Sequence, residues 1–146
     1  TPSLDTTIQW PLLDGEDKIT ADAVRFTAEL IAIRRSHPAL TAEGCAIVHA
    51  HDGNRVLAFH RWDGQGDDVI VIVSLNETPW RDYAIGFPAP GQWHEVFNSD
   101  VYDNWVNPGV VGNNGAVTAS GPALHGQPSS AMVTIPANGL LVFARG

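Results

Sequence analysis

The sequence predicts a mainly β protein: an antiparallel β-sandwich preceded by one amphipathic helix. Three observations predict it. A single stretch near the start repeats its apolar residues every three or four positions. After Leu40, short runs rich in β-branched and aromatic residues alternate with turn-forming Gly, Pro, Asn and Asp, giving seven or eight strands in about a hundred residues. Two of those runs face each other across the five-residue loop Asp63-Gly64-Gln65-Gly66-Asp67, as a hairpin requires.

Taken in order, the first fifteen residues read as a loop, because Pro2, Pro11 and the Asp14-Gly15 turn signal break any period. From Ile19, the residues Ile19, Ala23, Phe26, Leu30 and Ile33 fall on one helix face, with Asp17 or Thr20 placed to cap its start. Arg34 and Arg35 occupy the last turn, where cations complement the helix dipole, and Pro38 ends it.

Strands are expected at 46–50, 55–62, 69–75, 83–87, 92–98, 131–135 and 140–144. The third departs from the alternation of a strand with one wet face: Val69, Ile70, Val71, Ile72 and Val73 are all aliphatic, which requires cover on both sides. Either the amphipathic helix or a neighbouring domain can supply the second cover. The stretch from Asn98 to Ser130, rich in Asn, Gly and Pro, reads as the least regular part.

Composition narrows the partners. Eight basic residues against sixteen acidic ones give a formal charge of -8, which repels a phosphate backbone or an anionic membrane surface. Nucleic acid and membrane are therefore not expected as partners. With Cys45 as its one cysteine, the chain forms no internal disulfide and no Cys-rich metal site. Its six histidines contain no His-x-x-x-His pair, so no metal or other cofactor is expected. No run approaches the ~18 apolar residues of a membrane span, and Thr1-Pro2-Ser3-Leu4 does not open a signal peptide. The reading is a cytoplasmic chain that starts without Met, as a fragment or processed product does.

Several segments, in order, carry a resemblance. Ser3-Leu4-Asp5 and Trp10-Pro11-Leu12-Leu13 precede the helix, which closes on Arg34-Arg35-Ser36-His37-Pro38-Ala39-Leu40. Downstream follow Val56-Leu57-Ala58-Phe59, Val69 through Asn76, Asp82 through Pro88, and Gly91 through Asp100. The whole resembles the C-terminal end of an α-amylase superfamily protein (glycoside hydrolase family 13), and is most similar in kind to glucan branching enzymes and related amylases. Between Val101 and Gln127 the chain departs from the compact Tyr-Gly-Gly type stretch of branching enzymes, reading Tyr102-Asp103-Asn104-Trp105 instead.

The resemblance implies that residues 1–40 are the loop and final helix of a catalytic (β/α)8 barrel, and 41–146 an all-β C-terminal domain. It implies a non-catalytic accessory domain of an α-glucan-active enzyme, with the barrel of its own parent chain as partner. The alternative it leaves open is a carbohydrate-binding module that contacts α-glucan through exposed aromatics. Retaining glycoside transfer uses two carboxyl groups about 5 Å apart on a barrel's C-terminal face. Those residues come from middle barrel strands, so no catalytic residue is expected in this chain.

The residues themselves allow competing readings. Two of Glu95, Asp100 and Asp103 could form an independent catalytic pair, but acidic residues near turns ordinarily cap or solvate them. Asn98, Asp100, Asp103 and Asn104 offer oxygens to Ca²⁺, at a spacing that matches no known calcium loop. Trp62, Trp80, Tyr83, Trp93, Tyr102 and Trp105 could stack a pyranose ring or fill the core. Trp93, inside a strand, reads as core; Tyr102 and Trp105, in the irregular stretch, read as candidate glucan contacts. Trp10 is the third candidate, on the substrate side of the barrel if its loop follows the eighth strand, or else a staple onto the helix.

Overall fold

A computed structural model describes residues 18–100 and 111–145. Helix α1 (Lys18–Ser36) is followed by one 3₁₀ turn (Pro38–Leu40) and eight strands. These are β1 (Gly44–His51), β2 (Val56–Trp62), β3 (Asp68–Ser74), β4 (Trp80–Phe87), β5 (Gly91–Asn98), β6 (Ala116–Ala119), β7 (Ser129–Ile135) and β8 (Leu140–Arg145). All pairings are antiparallel, in a six-stranded sheet ordered β1-β2-β3-β8-β5-β6 and a two-stranded sheet of β4 and β7.

The inner faces of the two sheets share one core. Val56, Ala58, Ile70, Ile72, Trp93, Leu141 and Phe143 of the large sheet meet Ile85, Phe87, Ala131, Val133 and Ile135 of the small one. Phe87 links them, 5.2 Å from the Trp93 ring and 5.9 Å from that of Phe143. Trp93 is fully buried, and its indole N–H donates to the Ala89 carbonyl at 3.0 Å, so neither its area nor its polar edge is left to water.

The aliphatic run of β3 has the double cover its composition requires. Ile70 and Ile72 point into the inner core, while Val69, Val71 and Val73 lie in a second apolar cluster on the outer face of the large sheet. Phe26, Leu30 and Ile33 of α1 pack against that cluster. A bulge between Glu95 and Phe97 reverses the alternation of β5, so that Trp93 faces inward and Phe97 outward. Phe97 then meets Phe26 edge-on, ring centres 5.3 Å apart.

Two expectations need correction. The helix begins at Lys18, which puts Thr20 inside its first turn and not at its cap; Asp17 lies outside the described residues. The stretch from Asn98 to Ser130 contains a further strand, β6, paired with β5 from Gly91↔Ala119 to His94↔Ala116. Its short Ala-Val-Thr-Ala sequence, set among Gly and Asn, carries little β signal of its own, and pairing with an existing edge creates it.

Asn113 closes the sandwich between the sheets. Its backbone N–H and Nδ2 donate to Glu95 Oε2 at 3.1 and 2.7 Å, and Nδ2 also donates to the Thr134 carbonyl at 2.9 Å. The Thr134 N–H returns a bond of 2.7 Å to Asn113 Oδ1. Glu95 belongs to β5 and Thr134 to β7, so one side chain ties the large sheet to the small one.

Candidate functional site

The chain's most distinctive surface is the face that carries α1. The joint between helix and sandwich is built from His37-Pro38-Ala39-Leu40, the segment that ended the helix in the sequence. Pro38 cannot continue the helix and starts the 3₁₀ turn, which seats the fully buried Ala39 on the sheet. The Ala39 N–H donates to Asp67 Oδ2 at 2.9 Å, reaching the loop of the β2–β3 hairpin. Arg61 of β2 donates to the carbonyls of Gly44, Ala42 and Leu40 at 3.1, 2.7 and 3.3 Å, and Arg34 reaches the same Leu40 carbonyl at 3.0 Å. Two guanidinium groups thus hold backbone carbonyls where the chain turns from helix to strand.

The helix covers only part of this face. Leu57 lies on the same side of β2 as Phe59 and is 37% exposed, and Ile47, paired with Phe59, is 69% exposed. Leu75, past the end of β3, is 65% exposed. On α1 itself, Val24 and Ile31 are each 45% exposed. Seven residues apart, they share a line on the side of the helix opposite Phe26, Leu30 and Ile33. Among the described residues the helix is therefore apolar on two sides, one packed on the sandwich and one about half exposed.

A second cluster gathers at the β1–β4 end. His49 stacks on His125 with ring centres 4.1 Å apart, and on His51 at 6.0 Å. Its Nε2 lies 2.7 Å from the Tyr83 hydroxyl, which accepts a bond from Asn54 Nδ2 at 3.0 Å. Trp80 packs edge-on to Tyr83 and donates its indole N–H to the Asn54 carbonyl at 3.2 Å. Burial holds His49 below the ordinary histidine range, and the neighbouring His125 and His51 push it further down; burial does the same to His125. These rings meet face to face and do not converge their nitrogens on a common point. Among the described residues no three His, Cys, Asp or Glu side chains gather as metal donors.

The sequence-derived candidates separate. Trp10, Tyr102 and Trp105 lie outside the described residues, as do Asp103 and Asn104. Of the other aromatics, Trp93 is core, Trp80 and Tyr83 join the histidine cluster, and Trp62 lies against His60 at 4.7 Å. Glu95 is held by Asn113, and buried Asn98 donates to the Val111 carbonyl at 2.9 Å while its Oδ1 accepts the Asp100 N–H at 2.8 Å. Both are therefore engaged in holding loop backbone. The histidine cluster was missed by sequence reasoning, because His49 and His125 are far apart in the chain and follow no motif spacing.

Residues 47–146 match the family described as the α-amylase C-terminal all-β domain. The chain belongs to that family. Among curated proteins it is similar to the 1,4-α-glucan branching enzyme GlgB of Rhodococcus jostii, 36% identical over 124 residues, covering 81% of this chain and 17% of that protein. It is likewise 36% identical over 140 residues to GlgB of Burkholderia vietnamiensis, covering 90% of this chain and 18% of the relative. An alignment over nine-tenths of the chain necessarily takes in helix α1 as well as the all-β domain. The chain spans less than a fifth of the length of either relative. A crystal structure of α-amylase from H. orenii is similar with a TM-score of 0.49 and 23% identity, over 80% of this chain and 19% of that one. No helix among the described residues is long and apolar enough to cross a membrane.

Proposed function

We propose that this chain is a non-catalytic C-terminal accessory region of an α-glucan-active enzyme of branching-enzyme or α-amylase type. On this reading residues 1–40 are the loop and final helix of the catalytic (β/α)8 barrel, and 41–146 the domain that shields and stabilises it. The carrying observation is the helix with two apolar sides. A helix at the outer surface of a free-standing domain keeps its far side polar, whereas Val24 and Ile31 place aliphatic side chains there. A helix that belongs to two units at once needs both faces, and the parent chain's barrel is the partner that fits. The share of GlgB that the chain leaves unmatched is ample to hold that barrel.

Glucan contact is the subordinate role in this proposal. We assign it to Trp10, Tyr102 and Trp105, a reading supported by the partners that Trp93, Trp80 and Tyr83 already have within the domain. The exposed free thiol of Cys45 fits a reducing compartment, which supports a cytoplasmic enzyme.

A truncated Rhodococcus jostii GlgB, ending before the region matched here, provides the test. Joining this chain in its place is expected to raise the melting temperature of the barrel and restore branching activity, while the chain alone leaves amylose unchanged by iodine staining and reducing-end assay. Val24→Asp with Ile31→Asp is expected to cancel the rescue without lowering the melting temperature of the isolated chain. A truncated enzyme as stable and active as the chimera would refute the accessory role.

A further inference from the structure

We propose that His125 is a proton-operated latch: neutral, it pins the turn at residues 124–127 to strand β4, and protonated it releases that turn from the sandwich. The turn is small. Leu124 and Gln127 exchange two backbone bonds of 3.0 and 2.8 Å around His125 and Gly126, whose φ values of 53° and 73° are those of a two-residue type I′ turn. It approaches β4 so closely that a Cβ on Gly86 would run into the Leu124 carbonyl. At that contact the Gly86 N–H donates to His125 Nδ1 at 3.1 Å. Elsewhere the segment is tied by the Gly121 N–H to the Ser130 carbonyl at 2.9 Å and by Ser129 Oγ to the Gly121 carbonyl at 3.3 Å, neither of which reaches the tip.

A nitrogen that accepts a backbone N–H carries no proton, so His125 is the neutral tautomer with its hydrogen on Nε2. Adding a proton at Nδ1 sets two donors against each other and removes the bond. It also places a cation on a ring whose centre is 4.1 Å from that of His49. His49 is occupied in turn, since its Nε2 shares a hydrogen bond of 2.7 Å with the Tyr83 hydroxyl, which also accepts from Asn54.

The charged and titratable groups facing the pair are His51 from β1 and Arg81, Asp82 and Tyr83 from β4. Arg81 and Asp82 carry opposite charges and leave no net charge from β4 beside the pair. Burial, which depresses both histidines, and the mutual effect of His125 and His51 on His49 act in the same direction as the lost hydrogen bond. The turn is therefore held above the ordinary histidine pKa of about 6.5 and let go as pH falls through the lowered value.

Amide hydrogen exchange of the 146-residue chain, read by NMR at pH 7.5 and 5.0 and corrected for intrinsic rates, tests the latch. Protection of the Gly86 amide is expected to fall severalfold at pH 5.0, the direction set by proton linkage to a histidine that accepts its proton less readily while the turn is closed, while Val133 in the inner core keeps its protection. His125→Asn retains an acceptor and tolerates positive φ, so its Gly86 protection is expected to be the same at both pH values. In the unmodified chain, ¹⁵N shifts should show His125 protonated on Nε2 alone at pH 7.5. A Gly86 amide whose protection ignores pH, an equal loss in His125→Asn, or a proton on Nδ1 at pH 7.5 would each overturn the proposal.

Discussion

Ala39 and Asp67, 28 residues apart, are joined by a backbone-to-carboxylate hydrogen bond of 2.9 Å that fastens the end of helix α1 to the β2–β3 hairpin. Ala39 is fully buried, so its N–H depends on this carboxylate for a partner in the folded chain. Asp67→Ala is therefore expected to cost about 1–3 kcal/mol, the penalty of an unsatisfied buried donor. Asp67→Asn keeps an acceptor oxygen and should cost less. Urea denaturation of the two variants decides the matter, and equal stability of both with the parent sequence would show that the bond contributes nothing.

Trp93 tests the inner core. It fills the space between the sheets beside Phe87, and its N–H is already satisfied by Ala89. Trp93→Ala should lower stability by about 3–5 kcal/mol through lost burial and the cavity left behind. Trp93→Phe, which keeps a ring and gives up the donor, should cost clearly less. A melting temperature indifferent to Trp93→Ala would contradict the core assignment.

Much of this architecture was legible in the sequence. The spacing of Phe26, Leu30 and Ile33 marked the helix, and the unbroken run from Val69 to Val73 marked a strand buried on both sides, because periodicity records which faces meet water. The order of strands in the sheets was not legible, since pairing β3 with β8 and β5 with β8 depends on contacts between distant segments. Strand β6 escaped for a related reason: its pairing, and not its composition, makes it a strand. Glu95 illustrates the limit for sites. A carboxylate near a turn signals several roles equally, and only its 2.7 Å contact with Asn113, eighteen positions away, shows that it fastens a loop.

That contact gives a third prediction. Asn113 donates to Glu95 and to the Thr134 carbonyl while accepting from the Thr134 N–H. Asn113→Ala removes all three side-chain bonds, and because these partners are only partly buried it should cost about 1–3 kcal/mol in all. Asn113→Asp keeps the acceptor for Thr134 but sets a second carboxylate against Glu95. At neutral pH that repulsion opposes the retained bond, and acidification through the carboxylate range relieves it. Denaturation midpoints at pH 7 and pH 4 are expected to show Asn113→Asp gaining on Asn113→Ala at the lower pH. A gap between the variants that does not change with pH would mean that Glu95 and residue 113 are not in electrostatic contact.

The histidine stack gives a prediction for global stability. His49 and His125 both have proton affinities lowered by folding, chiefly because burial disfavours the charged ring. Between the lowered values and about 6.5 the unfolded chain binds more protons than the folded one, so stability rises with pH across that window. It is complete above the unfolded value and lost as pH falls through the folded ones. Other groups titrate as well, so the contribution of this pair is read as a difference between variants. His49→Gln with His125→Asn removes both titrations while retaining groups able to bond Tyr83 and Gly86. Urea midpoints measured from pH 8 to pH 5 should show the double variant losing less stability on acidification than the parent sequence. Parallel curves would mean that the stacked rings at 4.1 Å are as easily protonated in the folded chain as in the unfolded one.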